Sequence, residues 1–202
     1  LYAEMDDPHQ MLAYNQAALD IFADINDEFY YPLLMNNTSM SLMHVGRYEE
    51  ALQYAFQAKE LFEKIDSWRG ISAVEDTIGQ VYAAMGDYDQ AVSYMLQGLE
   101  RMSNTDEKAR LSRGLLNIGR LYLEQERPDD AFVYLQQALD ITIGIDSKPR
   151  LYECHQELSL AYEQKGDLGQ ALFHHNQYLQ YYREVVHEQH LQKLKIVKDH
   201  NR

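Results

Sequence analysis

Residues 78–98 read IGQVYAAMGDYDQAVSYMLQG, and this stretch decides the fold. An apolar helical pattern runs into the turn Gly86-Asp87-Tyr88 and resumes at Ala91. The same arrangement returns every 40 residues, so the sequence is built from repeats. Two ladders carry this period: Ala51, Ala91, Ala131 and Ala171, and Tyr14, Tyr54, Tyr94 and Tyr134, with His174 in the fifth tyrosine position.

A third ladder lies before the turn of each repeat and keeps the same period: Tyr2, Leu42, Tyr82, Tyr122 and Tyr162. The ladder tyrosines, like His174, are expected to pack in the core between helices. Residues 1–7 (LYAEMDD) align with residues 81–87 (VYAAMGD) in this phase. The chain is therefore expected to start inside the first helix of a repeat, with at least one further half-repeat upstream.

Each repeat is predicted to form a helical hairpin. Apolar residues recur at helical spacing in residues 74–85 and 91–102, and no segment alternates as a strand does. Turn glycines supply the left-handed conformation that ends a first helix: Gly46, Gly86 and Gly166. Proline opens two second helices, at Pro8 and Pro128, where its missing N–H costs nothing. Capping side chains are expected at the starts of first helices: Asp66-Ser67, Thr105-Asp106 and Asp146-Ser147.

The predicted fold class is all-α, a right-handed α-solenoid of stacked antiparallel helix hairpins. The array is expected over residues 1–178, as half-repeat 1–26 and repeats 27–66, 67–106, 107–146 and 147–178. Residues 179–202 are predicted to extend the last helix, because no proline and no glycine follow Gly169. Two roles remain open for this extension, a cap on the array or a link to a further domain.

Composition favours a folded cytoplasmic protein with a protein or peptide partner. A single cysteine, no long apolar run and no amino-terminal signal favour the cytoplasm, without direct membrane contact. The net charge is −14. Residues 183–202 hold five basic against three acidic residues, which leaves 13 − 29 = −16 for the first 182. Nucleic acid is therefore a poor partner, and a basic or neutral protein segment suits the body better.

Motifs for chemistry are missing from the sequence. No glycine motif for phosphate binding occurs, and His187 and His190 are three residues apart without a further ligand nearby. His174 and His175, like Cys154 and His155, are neighbours on a helix and point about 100° apart, so they do not converge. Cys154 is expected to be a small buried residue. We expect no catalytic centre, no cofactor and no metal in this chain.

The pattern Ile78-Gly79, Tyr82, Gly86-Asp87-Tyr88 and Ala91, with a small residue seven positions later, resembles the tetratricopeptide repeat family. The resemblance covers essentially the whole chain. The period is 40 instead of the more common value of about 34, which implies longer helices. The third repeat also departs from the pattern, because Glu126-Arg127-Pro128 replaces the turn glycine. Repeats of this length resemble those that precede cyclase, kinase or phosphatase domains in bacterial signalling proteins.

The resemblance also implies a binding surface, because the first helices line the groove in this family. The corresponding positions are Asn36, Met40, His44, Asp76, Gln80, Arg113, Asn117, Arg120, Glu153 and Gln156. Arg113 and Arg120 lie two turns apart on one face and have the geometry to hold a carboxylate of a bound peptide. The alternative is that they pair with the surrounding acids. The lysine and asparagine set that binds chaperone carboxyl termini is missing.

The sequence therefore predicts a regulatory module that binds a protein or peptide in its groove and belongs to a larger signalling protein. One alternative is a structural array that forms a homodimer through the C-terminal helix. Another is a peptide-sensing regulator that resembles the bacterial quorum-sensing repeat proteins. Tyr181 and Tyr182, which lie off the ladders, are candidates for a cap or for a partner contact.

Overall fold

The structure is a computed structural model that describes residues 7–25, 27–102 and 106–200, with side chains described as far as Leu191. Every regular element in these residues is helical, so the predicted all-α class is confirmed. The expected helix end at residues 1–6 lies outside the described residues. The helices are α1 (Pro8–Ile25), α2 (Tyr30–His44), α3 (Tyr48–Lys64), α4 (Trp68–Met85), α5 (Tyr88–Met102), α6 (Lys108–Glu124), α7 (Pro128–Gly144), α8 (Lys148–Gln164) and α9 (Leu168–His200).

The helices pair into hairpins, each with a short connection that places its two helices antiparallel. The pairs are α2 with α3, α4 with α5, α6 with α7, and α8 with α9, while α1 packs on α2 as the second helix of a half-repeat. The chain divides into two compact units, Leu1–Asn104 (the first unit) and Thr105–Arg202 (the second unit). Within the first unit α3 also packs on α4, and within the second α7 packs on α8.

The turn between the two helices of a hairpin follows the prediction. Gly46, Gly86 and Gly166 have φ values of 78°, 83° and 78°, so the left-handed glycine is confirmed in three hairpins. In the third repeat Glu126 takes the same conformation with φ 56°. The left-handed conformation is less favourable for a residue with a Cβ than for glycine. The backbone hydrogen bond from the Arg127 N–H to the Tyr122 carbonyl oxygen, 2.9 Å long, still closes the turn.

The caps at the starts of first helices are only partly as predicted. Ser67 Oγ accepts the backbone N–H of Gly70 at 3.3 Å, whereas Ser147 makes no such bond. Asp66 and Asp146 do not cap the following helix, because both adopt a left-handed conformation with φ of 51° and 50° just after α3 and α7. The predicted cap at Asp106 is also wrong, because Glu107 is the residue directly before α6. Thr105 lies outside the described residues.

Two capping residues, Asp87 and Asp167, were not predicted from the sequence. Both directly follow a turn glycine, and Asp87 was assigned to the turn alone. Asp87 Oδ1 accepts the backbone N–H of Gln90 at 3.2 Å at the start of α5. Asp167 Oδ1 accepts the backbone N–H of Gln170 at 3.1 Å at the start of α9. The Gly-Asp pair therefore ends one helix and starts the next, which keeps these turns short and the hairpins tight.

Three of the four hairpins carry a pair of stacked rings from two of the ladders, and the α2–α3 hairpin has Leu42 in place of one ring. Tyr82 stacks on Tyr94 with centroids 5.7 Å apart, Tyr122 on Tyr134 at 5.6 Å, and Tyr162 on His174 at 5.3 Å. His174 is buried, which confirms its packing role. The expectation that the ladder tyrosines pack in the core is met in part: Tyr54, Tyr82 and Tyr94 are half-buried and pack against the core, whereas Tyr14 is 74% exposed. Burial against the paired ring raises the pKa of both Tyr82 and Tyr122.

The long last helix is tied to the start of α8. Lys148 Nζ lies 3.1 Å from Glu184 Oε2 and 2.7 Å from Glu188 Oε1. These contacts raise the pKa of Lys148 to about 12, chiefly through its hydrogen bonds to the two carboxylates. Because Lys148 is the first residue of α8, the part of α9 after Glu188 runs beyond the helix on which it packs. A cap and a link to another domain both fit this extension.

Candidate binding surface

The first helices of neighbouring hairpins contact one another and form a polar face in each unit. In the first unit α2 contacts α4, and in the second unit α6 contacts α8. We call the side of these helices on which the ten predicted residues lie the first-helix face of each unit. The ten predicted binding residues all lie on these four helices, five in each unit.

On the first-helix face of the first unit, the predicted residues differ in access to solvent. Asn36 is only 6% exposed, and its Oδ1 finds no hydrogen-bond partner within the described residues. Met40 is half-buried, and His44 is exposed beside a hollow that it lines together with Pro8, Met11 and Ser41. Asp76 and Gln80 are half-buried and joined by a 2.7 Å hydrogen bond from Gln80 Nε2 to Asp76 Oδ2. This face is polar and carries little charge.

On the first-helix face of the second unit, the predicted residues separate into paired and open groups. Arg120 Nε lies 2.8 Å from Glu157 Oε1, which joins α6 to α8. Glu153 forms an ion pair with Arg150, one turn earlier on α8. Arg113 and Gln156 are exposed, and no ion pair to Arg113 occurs within residues 7–25, 27–102 and 106–191. Asn117 lies half-buried between Arg113 and Arg120 along α6.

Helix α6 is the basic part of this face, although the protein is strongly acidic. Helix α6 carries four basic residues and a single acid, Glu124: Lys108, Arg110, Arg113 and Arg120. Spacings of three and four residues place Arg110, Arg113, Asn117 and Arg120 on one side of the helix. The overall charge of −14 therefore conceals a local positive stripe on α6.

Sequence reasoning missed Glu157 and Arg150, which hold two of the predicted residues. Glu157 follows Arg120 by 37 residues, outside the 40-residue register, so comparing equivalent positions of successive repeats does not connect them. One signal was available, because Arg150 and Glu157 lie within one turn of the predicted Glu153. A search of the helical neighbours of each predicted residue finds both.

A second cluster that the sequence missed lies inside the last hairpin. His155 Nδ1 and His174 Nδ1 are 2.9 Å apart, so the Nδ1–H of one ring donates to the other ring. The ring of Tyr181 stacks on His155, and the ring of Tyr162 stacks on His174. Burial, with a smaller contribution from His174, lowers the pKa of His155 to about 4, and burial alone lowers that of His174. The pair is therefore neutral near pH 7.

Acid is expected to weaken the last hairpin through this pair. The pKa of His155 is lower in the folded chain than its unfolded value of about 6.5, so stability is complete above that value and falls as the pH drops towards 4. Between pH 7.5 and 5.5 we expect a loss of about 1 to 2 kcal/mol, measured by urea unfolding at each pH. The His155→Leu/His174→Tyr variant should lose clearly less, whereas His187→Gln, an exposed control, should match the parent. An equal loss in all three proteins would contradict this account.

The single cysteine of the chain lies in the interior of the second unit. Cys154 is buried, its Sγ lies 3.8 Å from Thr142 Oγ1, and burial raises the pKa of its thiol to about 11. It therefore stays protonated and is a weak nucleophile. No three His, Cys, Asp or Glu residues converge within the described ranges. Among the same residues, no helix is long and apolar enough to cross a membrane.

Solved structures with helical repeats share this fold at low sequence identity. BtubC (BKLC) from P. vanneervenii has a TM-score of 0.76 and 16% identity over 91% of this chain and 76% of its own. Aspartyl phosphate phosphatase F from Bacillus subtilis has a TM-score of 0.79 and 16% identity over 86% of this chain. A Signal Transduction ATPase with Numerous Domains protein with a tetratricopeptide repeat sensor, from Pyrococcus horikoshii, has a TM-score of 0.72 and 20% identity over 81%.

The chain spans 45% of the phosphatase and 26% of the signal transduction ATPase. These likenesses show the fold alone. No match to the chain is found among curated proteins.

A family model for the tetratricopeptide repeat matches residues 30–104, 70–144 and 110–184. The three matches begin 40 residues apart, in the register of the ladders. Together they span α2 to α8 and the first half of α9. Repeats of this kind form protein-interaction modules with an α-solenoid fold. The ladders, the helical hairpins and this match together show that the chain belongs to the tetratricopeptide repeat family.

Proposed function

We propose that this chain is the regulatory or sensory module of a larger cytoplasmic bacterial signalling protein, and that it binds a protein or peptide on its first-helix faces. The single observation that carries the proposal is the set of first-helix side chains that do not pack the core. His44, Arg113 and Gln156 are exposed on α2, α6 and α8 and are free to meet a ligand. Exposed polar residues on packed helices make a rigid surface for recognition.

The similar structures support a regulatory role. One is a phosphatase of aspartyl phosphate, and another carries its tetratricopeptide repeats as a sensor. This chain corresponds to less than half of each of these two proteins. Any catalytic activity of the signalling protein would therefore belong to a part of it outside this chain. Within the chain, the protonated thiol of Cys154 and the neutral histidine pair inside the last hairpin favour binding over catalysis.

Helix α9 supports a link to an output domain. It is 33 residues long, whereas the other second helices have 15 to 18 residues. The contacts of Lys148 with Glu184 and Glu188 hold its middle part against α8. A ligand that shifts α8 would therefore also shift α9, which gives binding on the second unit a route to a following domain.

Selection of displayed random peptides on the intact chain tests the proposal. Peptides that bind are expected to lose affinity at least about fivefold when Gln156→Ala is introduced on α8, because a lost interfacial hydrogen bond costs roughly 1 kcal/mol. The matched control is Gln97→Ala, an exposed glutamine on the second helix α5. Affinity measured by isothermal calorimetry should be unchanged in this control.

Two outcomes would contradict the proposal. One is a set of selected peptides that are sensitive to Gln97→Ala and insensitive to substitutions on α2, α4, α6 and α8. The other is a chain that enriches no peptide and forms a tight dimer in light scattering only when residues 179–202 are present. The second result would favour the structural array.

A further inference from the structure

We infer that the first-helix face of the second unit selects an acidic peptide segment, which places a carboxylate on Arg113 while Glu157 acts as an internal competitor for Arg120. This inference rests on the proposed function and adds the chemical class of its ligand. It reverses the expectation from net charge, which favours a basic or neutral partner for the body of the chain.

The positive charge of this face is concentrated on one side of α6. Arg110, Arg113 and Arg120 lie on one side of α6 within three helical turns, with half-buried Asn117 between the last two. The guanidinium group donates in a planar fork that matches a carboxylate, so two such groups on one face suit a ligand with repeated acids. Opposite charge also accelerates the encounter with such a ligand.

Arg113 is an exposed arginine in an acidic chain. The chain has 32 acidic and 18 basic residues, so an exposed arginine readily finds a carboxylate. Several others have done so within the described residues: Arg47 with Glu50, Arg101 with Glu75, Arg127 with Asp130, and Arg150 with Glu153. Arg113 is exposed, with no such pair in the same part of the chain. Arg110 also has no ion pair among the described residues, so α6 offers two arginines of this face to a ligand, and Arg113 is the more exposed of them.

A carboxylate of the chain itself already contacts an arginine of this face. Glu157 reaches from α8 to Arg120 with 2.8 Å between Oε1 and Nε, and its side chain is only 12% exposed. Arg120 donates to Glu157 through its Nε–H. An acidic side chain of a ligand would make the same kind of contact with Arg120. A ligand that needs Arg120 must share it with Glu157, which lowers its affinity.

The equivalent face of the first unit lacks this character. Its predicted residues are neutral at Met40 and Gln80 and acidic at Asp76, whose carboxylate accepts from Gln80. Helix α2 contains no lysine or arginine, and its one histidine is His44. An acidic segment is therefore attracted to α6 and not to α2 and α4.

Fluorescence anisotropy with labelled octaglutamate, octalysine and a single-stranded dT oligonucleotide tests the inference on the full chain. Octaglutamate should bind, and Arg113→Ala should weaken it about tenfold, because a hydrogen-bonded charge pair is worth about one such factor or more. Glu157→Gln should strengthen binding several-fold by releasing Arg120. The control Arg183→Ala removes an exposed arginine of α9, away from the face, and should leave binding unchanged.

Three results would overturn the inference. They are octaglutamate binding that ignores Arg113→Ala, equal loss in Arg183→Ala, and oligonucleotide binding that is as tight and as sensitive to Arg113 as octaglutamate binding. Thermal melting of each variant shows whether the fold is kept, above all for Glu157→Gln, since that side chain is only 12% exposed. If octaglutamate fails but displayed peptides still depend on Gln156, the acidic specificity is wrong and the proposed function stands.

Discussion

Gly119→Leu is expected to destabilise the chain by about 3 kcal/mol, at the upper end of the cost of overfilling a packed core. A Cβ on Gly119 would lie 2.4 Å from Leu135 Cδ2 and 2.6 Å from its Cγ, well inside van der Waals contact. Leu135 is fully buried and cannot turn into solvent. Leucine also favours a helix more than glycine does, by roughly 0.8 kcal/mol, so the packing cost must exceed this gain.

A double-mutant cycle isolates the contact between Gly119 and Leu135. Leu135→Ala alone should cost about 2 to 5 kcal/mol through the cavity that it leaves. In the Gly119→Leu/Leu135→Ala variant the new side chain fills that cavity, so the pair should be about 2 kcal/mol more stable than the sum of the single changes. Chemical denaturation of the four proteins measures these differences. Strict additivity would show that the two helices do not pack in this way.

Gly79 provides a matched comparison 40 residues earlier. A Cβ there would lie 2.6 Å from Met95 Cγ and also 2.9 Å from the carbonyl oxygen of Ala91. The backbone oxygen cannot be removed by substitution, so Met95→Ala should rescue Gly79→Leu less completely than Leu135→Ala rescues Gly119→Leu. Equal rescue at the two sites would contradict the described geometry.

Lys59→Met is expected to cost about 3 kcal/mol by leaving a buried carboxylate with one partner fewer. Glu75 is completely buried on α4, between Lys59 of α3 and Arg101 of α5. Lys59 Nζ lies 3.0 Å from Glu75 Oε1 but off the direction of a hydrogen bond, so the contact is ionic. Arg101 Nε donates to Oε2 at 2.9 Å and remains, which places the loss at the lower end for a broken buried pair.

The control for this prediction is Lys64→Met, an exposed lysine in the last turn of the same helix. It should change stability by less than about 0.5 kcal/mol. Because Lys59→Met/Glu75→Leu removes the buried charge together with its partner, it should recover a large part of the loss. A single Lys59→Met variant that unfolds at the same urea concentration as the parent would show that Lys59 does not stabilise Glu75.

The fold could be predicted because its determinants repeat. A 40-residue register fixes which residues face the partner helix, so the turns at Gly46, Gly86 and Gly166 followed from the sequence. His174 could be assigned to packing because it occupies a tyrosine position. Cap geometry was less predictable, since whether an aspartate ends one helix or starts the next depends on one backbone angle. Asp66 and Asp87 show the two outcomes.

The candidate surface could be predicted only to the level of the helix. The resemblance placed all ten residues on first helices, yet Asn36 is buried and Arg120 is held by Glu157. Such contacts join two helices that are not adjacent in sequence, and their register depends on how neighbouring hairpins pack. The pair of His155 and His174 was missed for the same reason, because 19 residues and a turn separate rings whose Nδ1 atoms are 2.9 Å apart.

Site-specific photo-crosslinking tests the binding account most directly. Benzoylphenylalanine would replace Gln156 on α8 or His44 on α2, and in control proteins Val133 on α7 or Leu96 on α5, all of them exposed. With a labelled peptide from the display selection, the account predicts crosslinks from at least one first-helix position and none from the second-helix positions. Crosslinks from positions 133 or 96 alone would contradict the claim that this chain binds its partner on its first-helix faces.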